Sequence, residues 1–572
     1  MRRNVIFALA VSGLFIFLCD NVCFAAPTAT SELASEERKS ILEERDAKLR
    51  QKVEDKRTSE PAPDLLPAQP KIESQQKITP KKIEVTGVSL IPMKDIEPIV
   101  KPLENKEITI QDLQKAADKI TDIYRQRGYI TSRAYLPPQK ISEGLVEVRV
   151  LEGAMGDVEI RGNRYFRTNL LRNKISLKKG EAFNYNKLRK DLIKINEAPD
   201  RFCKTVLAPG KVPGTTDLTL EVKDNLPIHV GFDWDNFGSR YINKNRYSAR
   251  FTHNNLLGFD DKLTFQYQLA EAGSYYLKNV RYLAPVGRGL EVGGYAYMSK
   301  VKLGKEYKET DVRGKSQLYG AFANRSLIDG ENFDMNLNLG FDYKNVVNYQ
   351  SGAVTSHDRL RVAKAGFDMD LSDKLGRTIL TYELDCGIPD IMGGLAAKDI
   401  NASRTGAGGK FVKNGINLLR LHKMPFSSTL LWKNQIQISP YNLPSTEQIQ
   451  LGGITNVRGY PSAEAVGDQG YTMTFEWSCP VYGIPKNFIV PFTKTKMYDA
   501  LRIVTFYDWG NVHLRTPATS EEKNKTLRSI GCGMRFNLPK SLSMRVEVAW
   551  PLDNLPSDGN RVRTWAQVTK DF

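Results

Sequence analysis

Several residue patterns that mark enzymes are missing from this chain. It has only 6 Cys and 5 His among 572 residues. There is no C-x-x-C pair and no H-E-x-x-H, which argues against zinc ribbons and zincin-type metalloproteases. Cys203, Cys386, Cys479 and Cys532 are scattered too widely for a disulfide framework. The serine-hydrolase elbow G-x-S-x-G is also missing. Gly314-Lys315-Ser316 ends like a phosphate-binding loop, but the glycine required five residues earlier is Glu309. We therefore expect no catalysis, no metal and no cofactor.

Long apolar runs are scarce too. Val5–Leu18 is the longest, and a helix needs about 20 apolar residues to cross a bilayer. A helical membrane protein is excluded, so any further membrane contact must come from strands. Disorder is excluded by composition: 41 % of residues are hydrophobic, with 24 Phe, 24 Tyr and 6 Trp.

Residues 1–25 read as a secretory signal. Arg2 and Arg3 precede the Val5–Leu18 run, and Cys23-Phe24-Ala25 offers a cleavage site after Ala25. A signal anchor is the alternative, though Asp20 follows the run closely. A lipoprotein is disfavoured because bulky Leu18 and Val22 precede Cys19 and Cys23.

The net charge of +17 is spread along the chain. The segment 26–76 is slightly acidic, while 77–225 and 226–572 are both basic. No concentrated basic helix or aromatic RNA-binding motif accompanies the excess, so nucleic acid is not an expected partner. Acidic lipid head groups or an acidic client fit better.

Four regions follow the signal. Residues 26–58 are dense in Glu, Lys and Arg from Ser31 to Arg57, without Gly or Pro in that stretch. This suggests a mostly polar helix, either a solvated tail or an element housed in a water-filled space. Residues 59–76 carry Pro61, Pro63, Pro67 and Pro70 and read as an extended linker.

Residues 77–225 contain a repeat. Ile83–Val88 predicts a strand and turn. A helix is expected over about 109–127, opened by Thr109 and Asp112 and closed at Gly128. Strands are expected at Ile130–Tyr135 and Leu145–Leu151. The order recurs with Val158–Gly162, a helix bearing Leu188, Leu192 and Ile195, and a strand at Leu218–Val222. Two α/β modules result, 77–153 and 154–225.

From residue 226 onward the pattern is strict alternation. Phe333–Tyr343, Leu263–Leu269 and Leu542–Val548 place apolar residues on one face and polar ones on the other. The polar face carries bare charges such as Asp334, Arg545 and Glu547. Cys532 falls in the apolar phase with Ile530, Met534 and Phe536 and reads as a small hydrophobe. A soluble sandwich also alternates, but long strands with bare charges favour a transmembrane antiparallel β-barrel. At about 22 residues per strand and connection, 226–572 allows roughly 16 strands.

Specific motifs sharpen this picture. Gly128-Tyr129-Ile130-Thr131-Ser132-Arg133-Ala134-Tyr135-Leu136-Pro137-Pro138-Gln139, running on to Leu151-Glu152-Gly153, lies in the first module. Leu207-Ala208-Pro209-Gly210 and Gly214-Thr215-Thr216-Asp217-Leu218 lie in the second. In the barrel region Leu451-Gly452-Gly453 leads to Val457-Arg458-Gly459-Tyr460, and Phe506-Tyr507-Asp508-Trp509-Gly510 follows. Together these resemble two-partner secretion transporters: the haemolysin and filamentous-haemagglutinin secretion/activation proteins, within the outer-membrane insertase superfamily.

The resemblance implies two polypeptide-transport-associated (POTRA) domains and a plug helix at 26–58. It also implies a barrel loop folded into the lumen, with Arg458 of Val457-Arg458-Gly459-Tyr460 paired to Asp508 of Phe506-x-Asp508-x-Gly510. The implied site is the bacterial outer membrane, with the modules in the periplasm. The implied partners are an unfolded exoprotein client with a β-helical N-terminal secretion domain, outer-membrane lipid and the barrel assembly machinery. The implied function is ATP-free conduction of that client to the cell surface; the alternative is an insertase assisting other outer-membrane proteins. One departure stands out: Lys570, Val568, Ala566 and Thr564 share the phase of terminal Phe572, where aromatics are expected.

Overall fold

A computed structural model describes residues 77–572 except 140, 142, 143, 288, 331, 520 and 540. The expected signal, plug helix and linker lie outside the described residues. The described chain forms two compact units. One comprises residues up to His229 together with Thr252–Leu263, and the other comprises Val230–Phe251 and Thr264–Phe572.

In the first unit the repeat is physical. Helix Ile110–Gln126 begins at a capping box, in which the Thr109 hydroxyl accepts the Asp112 amide and the Asp112 carboxylate accepts the Thr109 amide. Its buried side is Leu113, Ala117, Ile120 and Tyr124, spaced for one face of a helix. They pack on Ile83, Val146, Val148 and Val150 of the sheet. Full burial of a side chain such as Ile120 contributes about 1.5–3 kcal/mol.

The second copy uses helix Tyr185–Asn196, whose Leu188 and Ile195 pack on Leu218, Leu220 and Val222. In each copy the last strand is central. Leu145–Leu151 lies parallel to Lys82–Thr86 and antiparallel to Arg133–Tyr135. Thr215–Asp224 lies parallel to Ala154–Arg161 and antiparallel to Arg201–Pro209.

The repeat extends to the backbone. Gly87 and Gly162 end the equivalent first strands with φ of 79° and 86°. A Cβ there would sit 2.3 Å and 2.4 Å from the Val150 and Val222 carbonyl oxygens, so glycine is required twice for one reason.

The strand expected at Ile130–Tyr135 is shorter, Arg133–Tyr135. The preceding residues instead close a turn in which Tyr129 donates to the Tyr124 carbonyl and Ser132 to the Tyr129 carbonyl. In the same unit Asp260 is gripped by Arg201 (Nη2–Oδ2, 2.8 Å) and Lys174. Burial raises the Asp260 carboxyl, but Arg201 and then Lys174 outweigh burial and hold it below the usual carboxylate range.

The second unit is a closed antiparallel barrel of 16 strands, as the alternation predicts. The strands run from Ile228–Asp235 to Arg563–Asp571, and each pairs with its neighbour in sequence order. The last strand closes on the first from Gln567↔Asp235 to Asp571↔Gly231. Closure leaves no free sheet edge, the condition for a strand structure to sit in lipid.

Alternation sorts the two faces. Leu339, Trp477, Ile530, Met534, Val546 and Trp550 are exposed, whereas Asp342, Glu476, Asp508 and Glu547 are buried. Cys532 is exposed between Ile530 and Met534 in the outer phase, where a small hydrophobe suits hydrocarbon. In the final strand Trp565 is buried while Phe572 is exposed, which puts Lys570 in the outer phase. The Lys570 ammonium lies 5.1 Å over the Phe572 ring and donates to Ser541 Oγ at 2.8 Å. A lysine can thus occupy an outer position because its stem is apolar and its head reaches a polar partner.

Replacing Thr109 by Ala removes the cap of helix Ile110–Gln126. The expected cost is about 1 kcal/mol, read as roughly fivefold faster amide exchange in that helix and unchanged exchange in Tyr185–Asn196.

Candidate functional site: a hairpin held inside the barrel

The connection between strands Thr429–Ile438 and Gln469–Pro480 turns back against the barrel wall. Its limbs pair as a short two-stranded ladder, Ile449↔Gly467 to Leu451↔Ala465. Ile449, Leu451, Val457, Tyr460 and Ala465 form an apolar cluster with Val512 and Leu527 of the wall. Gly452 and Gly453 turn the chain with φ of 100° and 90°, and a Cβ on Gly452 would lie 2.0 Å from the Pro461 carbonyl oxygen. Asn456 Oδ1 accepts the Gly452 and Val457 amides. The bend therefore carries its own polar partners and needs little from water.

This bend delivers Arg458, which is 4 % exposed, to Asp508, which is 0 % exposed. Arg458 Nε and Nη2 donate to the two Asp508 oxygens at 3.0 and 2.9 Å, a bidentate fork. The Arg458 amide adds a bond to Oδ2 at 3.1 Å. Arg458 Nη1 donates to Glu476 and Glu547, both at 3.0 Å. The guanidinium carbon stands 3.3 Å over the Phe506 ring, so Phe506 supplies a π face as well as a wall. Thr474 and Ser529 hydroxyls donate to Asp508 at 2.9 and 3.1 Å.

Arg535 completes the network. It donates to Glu476 at 2.6 and 2.8 Å and to Glu547 at 2.9 Å. Two guanidiniums thus meet three carboxylates, and all but the half-buried Arg535 are buried where an unmatched charge is costly.

The small residues of both motifs are set by close approach. A Cβ on Gly459 would meet Ser529 Cβ at 2.7 Å and the Pro551 nitrogen at 2.8 Å. One on Gly510 would meet Leu451 Cδ2 at 2.7 Å and Val457 Cγ2 at 3.2 Å. Tyr460 is buried, and its hydroxyl accepts the Asp553 amide at 3.2 Å. The Trp565 indole donates to the Arg458 carbonyl at 2.8 Å, which ties the hairpin to the closing strand.

All seven residues of the two motifs therefore meet in one place. Glu476 and Arg535 were not singled out from the sequence. Glu547 was, as a bare charge in an alternating strand, and Glu476 in Thr474-Phe475-Glu476-Trp477 carries the same signal. What the alternation lacks is the inter-strand register that aligns the three carboxylates. Among the described residues no group of His, Cys, Asp and Glu is arranged to hold a metal ion.

A closed 16-stranded barrel with an inward hairpin, preceded by two POTRA-like modules, defines an outer-membrane protein of the POTRA-barrel class. Residues 214–536 match the family described as Haemolysin secretion/activation protein ShlB/FhaC/HecB. Residues 78–153 match the POTRA domain of ShlB type, and 154–199 a further POTRA repeat. The chain belongs to the ShlB/FhaC/HecB family of two-partner secretion outer-membrane transporters.

Among similar proteins, the heme/hemopexin transporter protein HuxB of Haemophilus influenzae (strain 86-028NP) is 26 % identical over 490 residues, 83 % of each chain. The outer membrane transporter CdiB of Dickeya dadantii is 21 % identical over 71 % of this chain and 74 % of its own. The solved CdiB from Escherichia coli superposes with a TM-score of 0.72 at 20 % identity, covering 96 % of this chain and all of the other. BamA from Haemophilus ducreyi lacking POTRA domains 1–3 reaches 0.53 at 14 % identity over 87 % of this chain and all of that one, a likeness of fold alone.

Replacing Gly459 by Ala forces the hairpin off Ser529 and Pro551. Overpacking of this kind costs about 1–3 kcal/mol. The expected result is a lower temperature for loss of the compact, heat-modifiable form on gels, with the barrel still assembled.

Proposed function

We propose that this transporter captures an unfolded exoprotein on its periplasmic modules and passes it through the barrel to the cell surface without ATP. The observation that carries the reading is the buried Arg458–Asp508 fork, a polar contact that fastens a short hairpin inside the barrel beside a small apolar cluster. Polar contacts can be exchanged for contacts to water or to a passing chain, whereas a covalent or fully packed plug cannot be.

Strand addition supplies the capture step. Arg201–Pro209 is an edge strand that pairs on one side with Thr215–Asp224. On its free side the Asn196 side chain accepts the Cys203 amide at 2.7 Å and donates to its carbonyl at 3.0 Å. The stretch beyond Cys203 remains for a client strand, and exposed Phe202 and Val206 give it apolar footing. Main-chain bonding there gives affinity without demanding one side-chain sequence, as an extended client requires. Folding of the client outside would draw the chain forward. Residues 26–58 serve in this scheme as a resting plug, residues 1–25 as the export signal and 59–76 as the tether.

Arg458→Glu places a fourth carboxylate among three. We expect secretion of the client to fall by an order of magnitude or more while heat-modifiable barrel persists in the membrane; normal secretion would refute the loop's role. Fragment 77–225 should retain the client's N-terminal domain in a pulldown, and no retention would refute capture by the modules. Deletion of 26–58 should raise ion conductance in planar bilayers, and unchanged conductance would remove the plug.

A further inference from the structure

The inward connection carries further buried charges, among them Glu447, of sign opposite to Arg458 and 1 % exposed. Its two oxygens accept from Lys344 Nζ at 2.7 Å and Lys413 Nζ at 2.6 Å. These lysines stand on strands Phe333–Gln350 and Phe411–Lys423, a different part of the wall from the strands around Arg458. Besides the Arg404–Asp468 pair at 2.6 Å at its root and Lys525–Glu464 at 4.0 Å, the hairpin is therefore held at two points by buried charges of opposite sign, an anion on lysines and a cation on carboxylates.

The two points differ in what release leaves behind. Lys413 also bonds Asp385 at 3.0 Å, and Lys344 has Asp342 at 3.7 Å on its own strand. Lys364 joins them, 2.7 Å from Glu383 and 3.6 Å from Asp342. Three wall lysines thus face three wall carboxylates before Glu447 is added. If Glu447 leaves, each lysine keeps an acidic neighbour.

At the other point the asymmetry reverses. Among the described residues the salt-bridge partner of Asp508 is Arg458. Departure of Arg458 leaves Asp508 with the Thr474 and Ser529 hydroxyls, whereas Glu476 and Glu547 keep Arg535. A buried carboxylate stripped of its cation is the costlier remnant.

Near Glu447, Arg404 Nη1 donates to Asp468 at 2.6 Å and to the Leu443 carbonyl at 3.1 Å, and the Leu443 amide donates to Asp468, so this ion pair ties the limb to its own root; two further ties are neutral. Gln437 donates to the Glu447 carbonyl at 3.0 Å, and the Ser445 amide donates to Ser403 Oγ at 3.0 Å. These two neutral bonds exchange for water at small net cost.

We propose that Glu447 is a releasable latch and Arg458 the fixed anchor, so that the first limb of the hairpin leaves the wall while Arg458 is still held. The proposal deepens the reading of this hairpin as the element that clears the barrel for a client and rests on it. Glu447 is a positioning residue in this scheme; it acts through the lysines that place the limb.

Site-directed thiol labelling reads the two limbs separately. Ser445 and Ser462 are both buried, 7 % and 8 % exposed, and flank the latch and the anchor. Each is replaced by Cys in the purified full-length chain, and its rate of reaction with a maleimide is corrected for the parent's native cysteines. Adding Glu447→Gln should speed labelling at 445 by about tenfold, the fold-change for loss of one charged hydrogen-bonded contact, and leave 462 within about twofold. Lys344→Gln should move 445 in the same direction by less, which provides a second variant should Glu447→Gln lose its heat-modifiable form. Glu447→Asp should restore slow labelling in part.

Unchanged labelling at 445 in both variants overturns the latch. Equal acceleration at 445 and 462 overturns the order of release, because the hairpin would then move as one piece. Since the assay contains no client, failure of secretion in cells would count against the transport reading and not against the latch.

Discussion

A guanidinium buried in the wall of a barrel constrains everything around it. Arg458 has no water to fall back on, so the wall must supply acceptors in the plane of its fork, and Asp508 does so with both oxygens. Asp508 must in turn be matched, and the chain that brings Arg458 must turn sharply enough to arrive. From that single pair follow the glycines at 452, 453 and 459, the self-bonded Asn456 bend, the hydroxyls of Thr474 and Ser529, and the Phe506 ring beneath the cation. Closure of the barrel is tied to the same point, since Trp565 of the last strand donates to the Arg458 carbonyl.

The barrel and the modules answer the same backbone problem in opposite ways. The barrel pairs its last strand with its first and leaves no edge. Each module keeps a three-stranded sheet with an outer strand, Arg133–Tyr135 or Arg201–Pro209, that pairs on one side. An open edge is a hazard in most soluble proteins, yet it is the feature a strand-adding capture surface requires. Asn196 shows how the hazard is limited, since it bonds both backbone groups of Cys203 and so shortens the edge on offer.

Much of the architecture is local and therefore readable in the chain. Alternation marks the barrel strands because the two faces of one strand meet hydrocarbon and a polar interior, a contrast with period two. The capping residues and apolar spacing of Ile110–Gln126 mark that helix for equally local reasons. The shortened strand Arg133–Tyr135 departs from expectation because a turn after Gly128 takes the hydrogen bonds that pairing would have used. The family resemblance of the motifs containing Arg458 and Asp508 implied one pair. The full site has five charged groups, two of which, Glu476 and Arg535, are ordinary inward residues until register sets them side by side.

By itself the sequence determined the order of modules and barrel and the face each barrel residue takes, because periodicity and composition record local preferences, while the pairing of Arg458 with Asp508 came from the family resemblance of their motifs. Only the tertiary structure decided that Glu476, Arg535 and Glu547 share that charge, and that Glu447 spans to Lys344 and Lys413. Those contacts join residues tens to more than a hundred positions apart. Their distances depend on the stagger of neighbouring strands and on how deep one connection folds, quantities that no local pattern encodes.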